Sequence, residues 1–242
     1  MNYKLVIAIL FSFTGYFVVK ALTHVLSFYE QFPFPTTVNS WIPAVEHHLI
    51  QLLGALLLIT IASWGELREW GLNFKNYRLS FSLFKKFSYY YLVYFIGFSF
   101  LIQFIYYPGP PFEHDFNSSE VLGYLAFGFL LTGLSEEILF RGFIHTLLYR
   151  ATKKNISIGN IEYPVAGLYA TLIFVIAHVG IVFYPLEIYH FNPMQLLQAL
   201  VLVLFYSYAY YLTGSLMAPI LAHNVSNGSL WVMDYLLYWI KM

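Results

Sequence analysis

The stretch Leu134-Ser135-Glu136-Glu137-Ile138-Leu139-Phe140-Arg141-Gly142-Phe143 sets two carboxylates and a guanidinium within six residues of an otherwise apolar run. Upstream, no charge occurs between Glu120 and Ser135. A charged side chain at bilayer depth costs about 2.5–3.5 kcal/mol on insertion scales, and function is its default explanation. On a helix, residues four apart share a face. Glu137 and Arg141 are so placed, and their ion pair lowers the insertion cost of both. Glu136 lies about 100° further round the helix, which leaves it free to aim into a cavity. The plainer alternative is that all three groups pin a helix end to the interface, since the basic Arg150 follows closely.

Two more apolar segments carry polar groups at comparable depth. His178 is the lone ionisable residue in the run Leu172 to Val182. Alone it reads most simply as a core histidine. His223 and Asn227 are four residues apart on one helical face, within Ala218 to Gly228. A His and an amide so placed can ligate a metal or donate to an oxyanion, or they can simply hydrogen-bond between helices. Together, a carboxylate, two imidazoles and an amide from three segments are the kit for hydrolysing a peptide bond. A carboxylate takes a proton from water, an imidazole assists the transfer, and the other donors stabilise the tetrahedral oxyanion. Alternatively, two histidines and a carboxylate hold an open-site Zn²⁺ that generates hydroxide.

The elements that must position these groups are membrane helices. Of 242 residues, 60% are hydrophobic, 21% aromatic and only 10% charged, and the mean hydropathy is +0.66. A soluble domain carries about 25% charged residues. At about 20 residues per crossing, the length predicts an all-α polytopic transmembrane bundle of about seven spans (six to eight), forming one integral membrane domain over 1–242. The spans fall near 5–28, 41–64, 87–107, 119–148, 163–183, 193–212 and 215–240. The first holds Lys20 and His24 and shows no small-residue cleavage pattern, so it reads as a span rather than a removed signal. Lys20 either snorkels to an interface or faces the bundle interior. The segments Gln31 to Thr37, Pro108 to Asp115 and Tyr184-Pro185 read as connections. Arg68, Lys75, Arg78, Lys85 and Lys86 lie between the second and third spans, and Arg150, Lys153 and Lys154 two crossings later on the same side. The positive-inside rule makes that side cytoplasmic and places the N-terminus there. Trp41, Trp64, Trp70 and Trp239 sit near predicted ends, as interfacial aromatics do. With zero net charge and no basic run, nucleic acid is excluded as a partner; with no cysteine, so are disulfides, thiolate metal sites and cysteine nucleophiles.

In order, Glu136-Glu137-Ile138-Leu139-Phe140-Arg141, Phe174 to His178, and His223-Asn224-Val225-Ser226-Asn227 give Glu-Glu-x-x-x-Arg, Phe-x-x-x-His and His-x-x-x-Asn. This pattern resembles the CPBP (Abi) family of intramembrane proteases, relatives of the Ras-converting CAAX endopeptidase. The stretches Leu67 to Leu72 and Gly214 to Ile220 are similar to further family features. The resemblance is strongest over about 118–228, the expected catalytic core. It implies a helical bundle whose site faces a cavity opened to the cytoplasmic side. It also implies Glu136 as general base, His178 helping to activate water, His223 and Asn227 binding the oxyanion, and Glu137 with Arg141 holding the site together. The family is described both as metalloproteases and as metal-independent glutamate proteases. A metal, if present, would fall to Glu136, His178 and His223 as zinc ligands. The metal-independent route, needing no cofactor, is preferred because the compact His pair of a zinc helix is missing.

Other intramembrane proteases are excluded by motif. Glu46-His47-His48 has the wrong order for His-Glu-x-x-His, Gly133-Leu134-Ser135 is followed by Glu136 rather than Gly, and Asp234 is the lone aspartate in a span. A non-proteolytic membrane scaffold or bacteriocin-immunity protein on the same fold is the alternative, and it would leave Glu136 dispensable. Transport is disfavoured by the lack of an internal repeat and paired broken helices. The expected partners are the membrane and a peptide or protein substrate, and the expected location is a bacterial plasma (inner) membrane.

Overall fold

A computed structural model describes residues 3–27, 41–106, 118–183 and 186–241. The chain is an all-α helical membrane protein. Its helices, in order, are α1 (Tyr3–Leu26), α2 (Trp41–Ser63), α3 (77–106), α4 (Ser118–Thr152), α5 (Val165–Ala177), α6 (Pro193–Thr213) and α7 (Met217–Lys241). α1, α2, α4 and α6 are long and apolar enough to cross a membrane. The expected connections at Gln31 to Thr37, Pro108 to Asp115 and Tyr184-Pro185 lie outside the described residues.

The fifth expected span is corrected. α5 has 13 residues, about 20 Å at 1.5 Å per residue, which falls short of a hydrocarbon core of about 30 Å. Beyond His178 the chain turns into an antiparallel hairpin. The hairpin β1 (Asn155–Ile158) and β2 (Ile161–Pro164) precedes α5, and β3 (Gly180–Phe183) and β4 (Leu186–His190) follow it. The apolar run hid this break because Ile181 and Val182 suit a strand as well as a buried helix.

The ends of α6 follow from its sequence. Asn192 caps it by accepting from the N–H groups of Met194 (3.1 Å) and Gln195 (3.2 Å), with Pro193 in the first turn. These bonds satisfy donors that a helix start leaves orphaned. Gly214 closes the other end in the left-handed conformation, φ 63°.

The two basic clusters meet at one end of the bundle. Arg150 pairs with Glu69 at 2.9 Å and lies 4.6 Å over the Trp70 ring. The same end is stitched by the Leu216 N–H donating to the Gly71 carbonyl (2.9 Å) and Asn73 Nδ2 donating to the Gly214 carbonyl (2.9 Å). Gly71 has φ +87°, and a Cβ there would lie 2.9 Å from Leu216 Cγ, so this docking requires glycine. Trp70 is corrected from an interfacial anchor to a core residue. It is 2% exposed and stacks on Phe143 at 5.9 Å. At the opposite end, Ser27 Oγ donates to Glu46 (2.8 Å), tying the close of α1 to the start of α2.

α4 and α7 approach closely through small residues. A Cβ on Gly128 would sit 3.1 Å from Gly228 Cα, and one on Gly133 would sit 2.8 Å from the Ile220 carbonyl oxygen. Close backbone approach at small residues is how membrane helices gain packing without a hydrophobic drive. α4 also widens into π-helical turns over Phe127–Leu131 and Ile138–His145. Thr132 and Thr146 each donate a hydroxyl to the carbonyl five residues back, Phe127 and Arg141, at 3.1 Å. The Glu-Glu pair therefore sits between two π-turns, features that are frequent at functional sites.

Candidate active site

The ion pair expected within α4 is present. Arg141 Nη1 lies 3.0 Å from Glu137 Oε1, and both side chains are fully buried. Arg141 also donates to the Val203 carbonyl (3.3 Å) and lies over the rings of Phe174 (5.1 Å) and Tyr206 (5.7 Å). Glu137 has a second partner that the sequence did not reveal, since its Oε1 accepts from His223 Nδ1 at 2.7 Å. One carboxylate oxygen thus holds both the guanidinium of its own helix and the imidazole of α7.

Glu136 points elsewhere, as the helical geometry requires. Its Oε2 lies 3.7 Å from His223 Nε2 and its Oε1 lies 3.9 Å from His48 Nε2. Oε2 is buried and has no hydrogen-bond partner among the described residues. A buried acceptor left unpaired is costly, and such an atom aimed at a cavity is available for water or substrate.

The three imidazoles around this site have their protons assigned by their neighbours. A carbonyl or carboxylate can only accept, so His178 donates from Nδ1 to the Phe174 carbonyl (2.9 Å), and His223 from Nδ1 to Glu137. Phe174 and His178 are one turn apart at the close of α5, where helix carbonyls lack intrahelical partners. Their rings stack at 4.5 Å, which gives the Phe-x-x-x-His spacing its physical sense. His48 bonds Ser135 Oγ at 2.6 Å, and that hydroxyl donates onward to the Thr132 carbonyl at 3.0 Å. The proton between His48 and Ser135 therefore belongs to His48 Nδ1. In the neutral state each ring presents a lone pair at Nε2.

Two cavities meet at Glu136. The smaller, about 140 Å³, runs between α5, α6 and α7 past Gln195, Gln198, Tyr206, His223 and Asn227. The larger, about 250 Å³, runs between α1, α2 and α5 past Lys20, Thr23, His48, Gln51 and Tyr189. Glu136 and His178 line both. Asn227 lies on the wall of the smaller one. Its neighbour Asn224 does structural work: Oδ1 accepts the Gly133 N–H at 2.7 Å and Nδ2 donates to the Leu130 carbonyl at 3.3 Å. Lys20 lines the larger cavity with its ammonium 5.9 Å from the Tyr16 ring centroid.

All four candidate residues, Glu136, His178, His223 and Asn227, line the smaller cavity. Sequence reasoning missed His48. Its signal was visible as two adjacent histidines in the second span, but Glu46-His47-His48 was weighed only as a zinc motif.

A family model described as Rce1-like, type II CAAX prenyl endopeptidase, matches residues 118–229. Over this segment, a little under half of the chain, the sequence is similar to the Rce1-like family. It spans Glu136, Glu137, Arg141, His178, His223 and Asn227, while His48 precedes it. The family implies an endopeptidase of the CAAX-protease type, a membrane-embedded hydrolase acting on peptide or protein. No curated protein and no solved structure matches the chain.

Zinc fits this site poorly. The tautomers suit ligation, because each imidazole donates from Nδ1 and offers Nε2. The positions do not: among the described residues, no group of three His, Asp or Glu side chains converges closely enough to hold a metal ion. The nitrogens of His48 and His223 approach different oxygens of Glu136, where a shared ion would need all ligands about 2.0–2.2 Å from one point.

Proposed function

We propose that the chain is an intramembrane endopeptidase that activates water with Glu136 and His178, without a metal. The observation that carries this reading is that Glu136 and His178 form the shared wall of two cavities. A water there can donate to the unpaired carboxylate oxygen and to His178 Nε2. Glu136 takes the proton as the water oxygen attacks the scissile carbonyl carbon. The oxyanion then accepts from the Asn227 amide. His223 joins only when its ring carries two protons, because its Nδ1–H is committed to Glu137. Protonated Glu136 passes its proton to the leaving nitrogen, the C–N bond breaks, and the carboxylate is restored. Glu137 and Arg141 position His223 and α4, while His48 holds Glu136 at the wall from the side of α2.

The basic end is cytoplasmic in this reading, with the N-terminus on that side of a bacterial plasma membrane. Supporting this, eight of the twelve Lys and Arg residues, Arg68, Lys75, Arg78, Lys85, Lys86, Arg150, Lys153 and Lys154, fall in or beside the loops stitched together there. The test compares the membrane peptidome of cells carrying the parent protein and Glu136→Gln at matched abundance. Peptides that vanish with Glu136→Gln are the expected result. An unchanged peptidome would favour a scaffold or bacteriocin-immunity role.

A further inference from the structure

α3 is longer than a membrane crossing needs. Running from 77 to 106, it rises about 45 Å at about 1.5 Å per residue, against a hydrocarbon core of about 30 Å. Residues 87–106 carry no charge and suffice for the core, which leaves 77–86 at the depth of the headgroups. That leading stretch holds Arg78, Lys85 and Lys86, and Lys75 just precedes it. No Asp or Glu occurs between Glu69 and Glu113. All four cations are exposed, and none forms an ion pair among the described residues.

The cations are sorted round the helix as well as along it. Ser80, Phe87 and Tyr91 form the inward face. Ser80 and Tyr91 are buried, Phe87 stacks on Phe205 of α6 at 4.6 Å, and Tyr91 donates to the Ser226 carbonyl of α7 at 3.1 Å. At about 100° per residue, Arg78 and Lys85 share the opposite face, with Lys86 on its flank. Exposed aromatic rings interleave them: Lys85 Nζ lies 4.9 Å from the Phe81 ring centroid, and Arg78 Nε donates to the Tyr77 hydroxyl at 3.1 Å. Sidedness alone asks only for Lys and Arg in the loop; it does not gather them on one outward helical face. We propose that this face of α3 binds anionic phospholipid headgroups through Arg78, Lys85 and Lys86, with Lys75 at its edge. Charge complementarity carries the choice of partner. A basic cluster on a helix beside the membrane attracts acidic lipids, and no carboxylate in α3 competes for the cations. The surface is separate from the site at Glu136 and does not rest on the endopeptidase reading.

The chain has no cysteine, so a single cysteine can carry a fluorophore beside the surface. Tyr89→Cys, at an exposed position one turn beyond Lys85, is the reporter, and Leu101→Cys, exposed on the uncharged far part of α3, is the control. The full chain is placed in phosphatidylcholine vesicles, and quenching by brominated phosphatidylglycerol is compared with quenching by brominated phosphatidylcholine at equal mole fraction. Each cation near an anionic surface favours it by about fivefold, so Tyr89→Cys should select phosphatidylglycerol by at least about fivefold, and Leu101→Cys should select neither lipid. The preference should vanish in about 1 M salt, where charges are screened beyond about 3 Å, and in the Arg78→Gln/Lys85→Gln/Lys86→Gln variant. Equal quenching by the two lipids at Tyr89→Cys in low salt would overturn the proposal and leave the cations to sidedness alone. So would a preference that survives high salt or the triple variant, or one as strong at Leu101→Cys. The salt series uses the unaltered patch, so it decides the matter even where the triple variant fails to fold. None of these readouts needs turnover, so the outcome stands apart from the Glu136→Gln peptidome comparison.

Discussion

Replacing Arg141 with Met removes the cation from a fully buried pair while keeping much of the side-chain volume. At 3.0 Å, two unit charges at an effective dielectric of about 20 attract by about 5.5 kcal/mol. Removing one partner of a buried pair costs about 3–5 kcal/mol, because the other is left charged and unpaired. The remaining His223 contact at 2.7 Å cannot offset this fully, and the bond to the Val203 carbonyl and the contacts with Phe174 and Tyr206 are also lost. For a chain of this size 1 kcal/mol corresponds to about 2–4 °C, so Arg141→Met should lower Tm by about 6–20 °C. The assay is thermal unfolding of purified protein in detergent, read alongside abundance in the membrane. Glu137→Gln/Arg141→Met removes both charges and should recover part of the loss, which a double-mutant cycle reads as coupling. An Arg141→Met protein that unfolds within about 2 °C of the parent, or a double variant whose loss is the sum of the singles, would refute the pair as a stabilising element.

Glu136→Gln keeps the shape of the side chain and should lower cleavage by at least about 10²–10⁴-fold at unchanged abundance; cleavage assayed with the substrate recovered from the peptidome checks it. His48→Ala should leave the protein folded yet cut turnover by about 10²-fold, the effect of a misplaced catalytic group; full turnover would remove His48 from the site. Gly133→Ala should be poorly tolerated, since its Cβ would meet Asn224 Oδ1 at 2.7 Å and the Ile220 carbonyl at 2.8 Å, and neither helix backbone can give way. A lowered Tm together with reduced activity is the expected result. Purified active protein should hold less than stoichiometric zinc and keep its activity through chelation; zinc and activity lost together would overturn the metal-independent route.

The helical rods were legible because apolar length and Lys/Arg placement are one-dimensional properties. Glu137 with Arg141 was legible too, because a spacing of four on one helix is local. What could not be read was everything that depends on which helices become neighbours. The bond from His223 to Glu137, and the approach of His48 to Glu136, join residues more than eighty positions apart. The bonds of Asn224 to Gly133 and Leu130 were hidden for the same reason, since they depend on the place of α4 against α7. The early close of α5 escaped because an apolar strand and an apolar helix share a composition.

Glu136 and His178 line both cavities, the larger of which holds about 250 Å³. An α-helix with side chains is about 10–12 Å across, too broad for a cavity of that volume, so in the proposed mechanism a polypeptide reaches the carboxylate as unwound chain. Substrate selection then becomes a melting filter. A segment is cut where its own helix is weakest, at glycine, proline or β-branched residues that give up helical hydrogen bonds most cheaply. The enzyme would read local disorder in its substrate as much as any side chain.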